Sequence, residues 1–244
     1  MGGIRLKMKA LILAAGLGTR LVPITNDRPK SLVPVNGQPI ILKQIDNLHK
    51  NGITDITVVS GYKANILEDK IHALYPEIRI IESVDYATTN NMYSAYLAHE
   101  VMENSDFLMM NADVFYDASV VTALLNFETP NAIVTDIGTY LEESMKVVEK
   151  NGRLIKISKG IAKEDALGAS IDVYKFSSDA GKAFFGKCAE YIEDKKELKM
   201  WSEVALNDIL KDIEFRACPL VGRWFEIDNH DDLAAAEKLF AEEQ

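Results

Sequence analysis

Gly16, Gly18, Arg20 and Lys30 are closely spaced in the segment LILAAGLGTRLVPITNDRPKSL near the N-terminus. The apolar residues 10–14 predict a strand, and Gly16 and Gly18 lie in the loop that follows it. Because glycine has no Cβ atom, the backbone amides of such a loop can approach an anion closely. Arg20 and Lys30 add positive charges that can reach the same anion. Together these features predict a loop that binds the phosphates of a nucleoside triphosphate.

Two common phosphate-binding loops do not fit this segment. The dinucleotide fingerprint G-x-G-x-x-G requires a third glycine, but Leu21 occupies that position and Pro23 disfavours the helix that should follow. The Walker A loop requires a glycine directly before its Lys-Ser pair, whereas Pro29 precedes Lys30 here. The loop is therefore predicted to belong to another class of nucleotide-binding protein.

Two carboxylates stand at the predicted ends of apolar strands, Asp113 after FLMMNA and Asp228 after WFEI. In open α/β sheets, ligands bind beyond the carboxyl ends of the strands. Mg²⁺ prefers hard oxygen ligands of this kind. Asp113 is therefore predicted to bind a metal ion, whereas Asp228 fits either a metal ligand or the N-cap of the next helix.

The elements that must position these residues alternate along the chain. Strands are predicted at 10–14, 53–60, 78–84, 107–111, 132–137, 145–149, 154–158 and 170–176, and a last strand ends at Ile227. Helices are predicted from residue 40 to the Asn51–Gly52 stop, at 61–74, 92–103, 179–195 and 202–210, and after the last strand. Asn151-Gly152 between two short strands indicates a hairpin. The pattern predicts a single α/β domain with a doubly wound, mostly parallel, Rossmann-like mixed sheet, a β-hairpin insertion and C-terminal helices.

Composition excludes several classes of protein. The 244 residues include 48% hydrophobic and 26% charged residues and carry a net charge of −10, without a basic patch that would suit nucleic acid. The two cysteines are isolated, which fits a reducing cytoplasm. The first ten residues contain no signal-peptide core, and no apolar run reaches the length of a membrane span. A cytoplasmic protein without nucleic-acid or membrane partners is expected.

Residues 14–30 fill every fixed position of the pattern (A/G)-A-G-x-G-T-R-L-x-P-x-T-x-x-x-P-K, which resembles the signature of the sugar-phosphate nucleotidyltransferase superfamily. The segment NNMYS at 90–94 resembles the N-N-x-Y-S motif of bacterial phosphocholine and 2-aminoethylphosphonate cytidylyltransferases. The closing WFEIDNHDDL also resembles the ending of that branch, whereas residues 137–167 match it only loosely.

The resemblance implies a Mg²⁺-dependent transfer of CMP from CTP to a small phosphate or phosphonate, with release of pyrophosphate, in the synthesis of a surface glycan or lipid. It implies catalytic roles for Arg20, Lys30 and Asp113, and metal binding by Asp113 and Asp228 with Glu226 as a helper. The residues implied to bind the nucleotide are Leu13, Ala14, Ala15, Gly16, Gly18, Thr19, Arg20, Lys30, Tyr62, Asn91, Ser94 and Ala112. Asn90 and Asn91 fit helix capping equally well.

In the phosphocholine branch, aromatic and acidic side chains receive a cationic head group, because aromatic faces attract quaternary ammonium. The corresponding candidates here are Tyr93, Asp172, Tyr174, Trp201 and Glu203, with Tyr86 as a further aromatic residue. A small zwitterionic acceptor such as phosphocholine, 2-aminoethylphosphonate or an amino-acid-derived phosphate fits this set.

The single nucleotidyltransferase domain, 1–244, is expected to divide into a nucleotide-binding half at 8–130 and an acceptor-binding half at 131–244. CTP and a small phosphorylated or phosphonate acceptor are the expected partners, and the superfamily's frequent dimers make a homodimer an expectation. Two alternatives stay open, a hexose-1-phosphate uridylyl- or thymidylyltransferase and a catalytically silent nucleotide-sensing subunit.

Overall fold

Within residues 8–241, which the computed structural model of the chain describes, nine strands form one mixed sheet flanked by helices. The strands are β1 (Lys9–Ala14), β2 (Pro34–Val35), β3 (Gln38–Pro39), β4 (Asp55–Ser60), β5 (Arg79–Glu82), β6 (Phe107–Asn111), β7 (Val114–Tyr116), β8 (Ala132–Ile137), β9 (Lys146–Lys150), β10 (Arg153–Ser158), β11 (Gly168–Phe176), β12 (Arg216–Pro219) and β13 (Trp224–Glu226). The helices are α1 (Ile40–Lys50), α2 (Ala64–His72), α3 (Asn91–Leu97), α4 (His99–Met102), α5 (Ala118–Asn126), α6 (Ser178–Ala189), α7 (Ser202–Ile209) and α8 (His230–Leu239).

Strand β1 lies at the centre of the sheet, parallel to β4 on one side and to β6 on the other. Strand β5 continues the parallel part beyond β4, while β11 runs antiparallel to β6 and begins the mixed part. Strand β8 pairs with β11 and with the parallel strand β12, and the β9–β10 hairpin joins the N-terminal end of β11. The predicted single α/β domain with a mixed, doubly wound sheet and a hairpin insertion is confirmed.

Both faces of β1 are buried, which explains why its sequence is continuously apolar. Ala10, Ile12 and Ala14 pack in one core with helices α1, α2 and α5. Leu11 and Leu13 pack in the other core with α3, α6 and α7. Because successive strand side chains point to opposite faces, one strand supplies the middle of both cores.

The helices depart from the predicted ranges at three places, one of which is 179–195, where α6 ends at Ala189 and a π-helical turn follows over Glu190–Asp194. The predicted helix at 92–103 is two helices, because the chain leaves helical geometry at Ala98, and the His99 ring Nδ1 lies 2.9 Å from the freed Tyr96 carbonyl oxygen. The predicted helix at 61–74 begins only at Ala64, because Lys63 before it adopts a φ of 51°. Helix α5 and strands β2, β3, β7 and β12 were not predicted.

The described part of the chain contains no helix with the length and apolar character that crossing a bilayer requires. The first seven residues, part of the segment without a signal-peptide core, lie outside the described residues.

Candidate active site

A cavity of about 400 Å³ opens at the carboxyl ends of β1 and β6. This is the edge of the sheet at which α/β proteins bind their ligands. The predicted site residues that line it are Leu13, Ala14, Ala15, Gly16, Gly18, Thr19, Arg20, Lys30, Tyr86, Asn91, Ser94, Ala112, Asp113, Asp172, Trp201, Glu203, Glu226 and Asp228. The fold therefore brings both ends of the chain and its middle to one cavity.

The loop after β1 is held in a conformation that needs glycine at one position. Gly18 has a φ of 63°, and a Cβ atom there would lie 2.8 Å from the Lys30 Cβ atom. The Thr25 hydroxyl donates a hydrogen bond of 2.9 Å to the Gly18 carbonyl, which fixes the loop from inside. By contrast, a Cβ atom on Gly16 would meet no neighbour within 4 Å. The tight packing at Gly18 brings Lys30 against the loop.

Lys30 joins the two predicted metal ligands. Its Nζ atom donates to Asp113 Oδ2 over 2.9 Å and to Asp228 Oδ1 over 2.7 Å. Arg20 Nη2 lies 2.9 Å from the same Asp228 oxygen. Burial opposes the charge on Lys30, but the carboxylates of Asp113 and Asp228 outweigh it and raise the pKa of Lys30. In Asp228, burial is likewise outweighed, and Lys30 and Arg20 lower the pKa of that carboxyl. Lys30 and Asp228 are therefore both charged at neutral pH.

Asp113, Glu226 and Asp228 form a carboxylate triad whose nearest ligand oxygens lie within 4.8 Å of one another. Asp113 Oδ1 is buried and has no hydrogen-bond partner. Burial, followed by repulsion from Asp113 and Asp228, raises the pKa of Glu226 to about 7. An unpartnered buried carboxylate oxygen beside two more carboxylates matches the donor set of a hard divalent cation. The triad can therefore bind a metal ion.

Two pieces of tertiary structure assemble the triad. Gln44 of α1 donates to the carbonyls of Asn111 and Val114 over 2.9 and 2.8 Å, which fixes the turn that carries Asp113. Strand β13 pairs antiparallel with β7, and Glu226 stands opposite Val114. The Gln44 contacts span 67 and 70 positions of the chain, and the pairing of β13 with β7 joins Glu226 to the strand that follows Asp113. Together they explain why Glu226 reaches Asp113.

Asp228 does not cap the final helix, so that alternative is wrong. The N-cap of α8 is Asn229, whose side chain accepts hydrogen bonds from the backbone amides of Asp231 and Asp232. The Asp232 carboxylate accepts from the Asn229 amide in return, which completes a capping box. The Asp228 carboxylate is thereby left to Lys30 and Arg20.

A second acidic group lies in the same cavity, on β11 and α7. Strand β11 bulges between Ser170 and Tyr174, and Asp172 within the bulge adopts a φ of 56°. The Tyr174 hydroxyl lies 2.8 Å from Asp172 Oδ1 and 2.9 Å from Glu203 Oε1. Asn111 Nδ2 donates to the other Asp172 oxygen over 3.0 Å. The bulge thus turns Asp172 toward a carboxylate of another element.

The geometry of this acidic pair fixes its proton count. A phenol has a single proton, so Tyr174 can donate to only one of the two carboxyl groups. The other short contact requires a proton on Asp172 or on Glu203. Burial raises the pKa of both groups, and for Asp172 repulsion from Glu203 adds to it. The shared Tyr174 hydroxyl and the raised pKa values both favour a proton held by one carboxyl of the pair.

Three predicted binding residues do not line the cavity. Tyr174 is completely buried and reaches the site only through its hydroxyl group, so its ring is not offered to a ligand. The Tyr93 hydroxyl donates to Asp85 over 3.3 Å, and the Tyr62 hydroxyl donates to the Thr25 carbonyl over 3.1 Å. Tyr62 and Tyr93 therefore contact the surroundings of the cavity and not its interior.

The Asn-Asn pair caps α3 and also places one side chain at the cavity. The Asn90 side chain accepts from the Asn91 amide over 2.8 Å and caps α3. The Asn91 side chain faces the cavity and accepts from the Ser202 amide over 2.8 Å. This contact joins α3 to the start of α7.

Lys159 is a cavity residue that sequence reasoning missed. It follows β10, in the region where the resemblance is weakest. Its Nζ atom lies 5.0 Å from the centre of the Trp201 ring, and Trp201 is 44% exposed. The remaining lining residues that were not predicted are Leu17, Ser31, Thr89, Asn90, Asn111 and Met145. Leu17, Ser31, Thr89, Asn90 and Asn111 lie next to predicted residues or motifs in the sequence, whereas Lys159 and Met145 do not.

Comparisons with known proteins agree with this arrangement. A CTP:phosphoglutamine cytidylyltransferase from Campylobacter jejuni is 29% identical over 248 residues, which covers 93% of this chain and 98% of the relative. A 2-aminoethylphosphonate cytidylyltransferase from Lancefieldella rimae is 29% identical over 238 residues, which covers 94% of this chain and 92% of the relative. The solved structure of LicC, the CTP:phosphocholine cytidylyltransferase of Streptococcus pneumoniae, superposes with a TM-score of 0.78 at 26% identity and covers 96% of this chain and 99% of that one. The resemblance noted from the sequence is confirmed.

The family model described as nucleotidyl transferase matches residues 9–243 and so includes the glycine loop, the carboxylate triad and the acidic pair. With its signature residues gathered around one cavity and this match over nearly its full length, the chain belongs to the nucleotidyl transferase family.

Proposed function

We propose that this protein is a Mg²⁺-dependent cytidylyltransferase that transfers CMP from CTP to a small phosphate or phosphonate bearing a cationic group. The observation that carries the proposal is that one cavity combines a cationic glycine loop, a carboxylate triad and a second, buried acidic pair. The first two suit a metal-bound triphosphate, and the third suits a cation. The full-length similarity to cytidylyltransferases that act on small zwitterions supports the choice of CTP and of acceptor.

The chemistry is a displacement at the α-phosphorus of CTP. An oxygen of the acceptor phosphate or phosphonate forms a bond to that phosphorus, the bond to the bridging oxygen breaks, and pyrophosphate leaves with the electron pair. Such reactions are catalysed mainly by positioning and by charge neutralisation. The protein therefore needs no nucleophile of its own.

Lys30 and Arg20 have the charges to stabilise the departing pyrophosphate. In this structure their cationic groups contact Asp228, and Lys30 also contacts Asp113. The ammonium group of Lys30 has three N–H donors and gives two of them to these carboxylates, so the third is left for a phosphate. A Mg²⁺ ion held by Asp113 and Asp228, with Glu226 beside them, would neutralise charge on the α-phosphate and the attacking oxygen.

The glycine loop has the features needed to bind the nucleotide. Ala14, Ala15 and Gly16 follow the central strand and line the cavity, and Asn91 and Ser94 face it from α3. The open space beside Gly16 leaves room for a nucleoside against the backbone.

The acceptor end is expected to be formed by Asp172, Glu203, Trp201 and Lys159. The acidic pair offers oxygen atoms to an ammonium group, and Lys159 offers a positive charge to the phosphate or phosphonate. Lys159 Nζ lies 5.0 Å from the centre of the Trp201 ring, so the two residues stand side by side at this end of the cavity.

Pyrophosphate release with Mg²⁺ tests the function directly, with CTP, UTP, dTTP, ATP and GTP each combined with zwitterionic and hexose-1-phosphate acceptors. Release that requires CTP and a zwitterion is expected. Release that requires UTP or dTTP and a hexose phosphate would contradict the proposal and favour the sugar-nucleotide alternative. CTP binding without turnover of any acceptor would favour the silent sensor.

A further inference from the structure

The acidic end of the cavity is rich in hydrogen-bond acceptors. Asp172 and Glu203 both line the cavity, and both also contact the Tyr174 hydroxyl behind them. Glu203 is 3% exposed, so its carboxyl group is held in a mostly dry wall. Carboxyl oxygens bind a cation most strongly when the cation has N–H groups, because these can donate short, charge-assisted hydrogen bonds to the oxygens.

The same end of the cavity is poor in aromatic faces. Among the described residues that line the cavity, the aromatic ones are Tyr86 and Trp201. Tyr86 packs beside Gly61 and Tyr62 at the end of β4, next to the loop after β1. Trp201 lies nearer the acidic pair, but the Lys159 ammonium is placed 5.0 Å from its ring centre. Quaternary ammonium ions carry no N–H group and are recognised by the faces of several aromatic rings.

We propose that the acceptor carries an N–H-bearing ammonium group, with primary amines favoured, and that the Asp172–Glu203 pair selects it against trimethylammonium. The inference rests on the proposed function and refines the class of its acceptor. A primary ammonium brings three donors to a wall of carboxyl oxygens, whereas each added methyl group removes one donor and adds bulk. The acceptor class is therefore that of phosphorylated primary amines and aminoalkylphosphonates.

A graded series of acceptors isolates this property. O-phosphoethanolamine, its N-methyl and N,N-dimethyl derivatives and phosphocholine differ only in the number of N–H donors replaced by methyl groups. With CTP and Mg²⁺, kcat/KM from pyrophosphate release is expected to fall stepwise, by at least about tenfold from the first member to the last, the scale of losing one charged hydrogen bond. Equal or better use of phosphocholine overturns the inference and leaves the cytidylyltransferase proposal standing.

Binding provides a readout that does not depend on turnover. Calorimetry with the protein bound to Mg²⁺ and an α,β-methylene analogue of CTP gives the affinity of each member of the amine series. The same measurement compares 2-aminoethylphosphonate with its trimethylammonium analogue. Tighter binding of both N–H-bearing members is expected. If none of these amines binds while the nucleotide does, the inference fails. If the nucleotide itself does not bind, the proposed function fails with it.

The Glu203→Gln variant tests the residues that make the selection. The amide keeps the size of the side chain and can accept a hydrogen bond from Tyr174, but it lacks the carboxylate. The preference for phosphoethanolamine over phosphocholine is expected to shrink by at least about fivefold, with KM for CTP unchanged. Glu197→Gln, at an exposed position before α7, is the matched control and should keep the preference. An equal loss of kcat/KM for all four amines in Glu203→Gln would overturn the assignment.

Discussion

Lys30 holds together a site that would otherwise contain three mutually repelling carboxylates. Its ammonium group lies between Asp113 and Asp228, whose oxygens are among those that come within 4.8 Å in the triad. The lysine therefore stabilises the ligand-free site and competes with any divalent cation for the same oxygen atoms. Loss of the Lys30 ammonium group should therefore affect metal binding and catalysis differently.

Replacing Lys30 with alanine is expected to change these two properties in opposite directions. Turnover should fall at least about 100-fold, the scale of losing one preorganised charge that stabilises the transition state. Affinity for Mn²⁺ in the absence of nucleotide should rise, because an ammonium competitor is gone; electron paramagnetic resonance measures it. Lys50→Ala, at the exposed end of α1, is the control. Near wild-type turnover would remove Lys30 from the mechanism, and weaker Mn²⁺ binding would contradict the competition.

Glu203 makes folding stability depend on pH in a predictable direction. Burial raises the pKa of Glu203 in the folded protein, so the folded state keeps a proton that the unfolded chain loses above its ordinary pKa of about 4.3. The folded state then binds more protons, and the free energy of unfolding falls as the pH rises from that ordinary value to the raised pKa of Glu203.

The Glu203→Gln variant should lose much of this dependence, by up to about 1.4 kcal/mol for each pH unit. Urea unfolding at pH 5, 6, 7 and 8 measures the slope, with Glu197→Gln as the control. Parallel slopes for the wild type and Glu203→Gln would mean that Glu203 does not hold the extra proton of the acidic pair.

At the scale of single elements, α8 is fixed at its start by the capping box of Asn229 and Asp232. Asp228 directly precedes this cap, so the cap also determines where the triad carboxylate lies. Asn229→Ala should lower the free energy of unfolding by about 1 kcal/mol. Asn229→Asp keeps a capping side chain and should restore most of that loss, while Lys238→Ala on the exposed side of α8 should change little. Chemical denaturation measures all three, and a stable Asn229→Ala would show that packing alone fixes the helix start.

The site residues and elements that could be predicted from the sequence are those with a local sequence pattern. The glycine loop and Lys30 follow β1, and Asp113 follows β6, so each was predictable from a pattern local to one strand and the segment after it. Glu226 was expected only as a helper, and Lys159 was missed, because pairing of β13 with β7 and the path of the chain after β10 depend on distant residues. Helix α5 was missed because ASVVTALLN is short and rich in β-branched residues, which fit a strand equally well. The ring of Tyr174 was expected to contact the acceptor but is buried, because a tyrosine in a strand fits a buried and an exposed position equally well.

At the scale of the whole molecule, the cavity draws residues from both predicted halves of the chain. Ser144, just before the β9–β10 hairpin, donates a hydrogen bond of 3.2 Å to Glu226 of the triad. The loop carrying Ser144 is held by Lys146, whose Nζ atom donates to the carbonyls of Leu141 and Glu142 over 3.2 and 2.7 Å. The division into a nucleotide half at 8–130 and an acceptor half at 131–244 stays a prediction, as does the homodimer. If the division holds, substitutions in the two halves should change KM for CTP and KM for the acceptor separately.

Two variants in opposite halves test that separation. Gly16→Ala adds a methyl group where the ligand-free protein has open space, so the fold should tolerate it, but the added group should obstruct the nucleotide and raise KM for CTP about tenfold. Lys159→Met removes a cavity cation of the other half and should raise KM for the acceptor about tenfold, with KM for CTP unchanged. Lys163→Met, exposed in the same segment as Lys159, is the control. Steady-state kinetics with each substrate varied in turn measures both effects. If either variant raises KM for CTP and KM for the acceptor equally, the two halves do not bind separate substrates. The loop after β1 and the segment after β10 would then each contribute to the binding of both substrates.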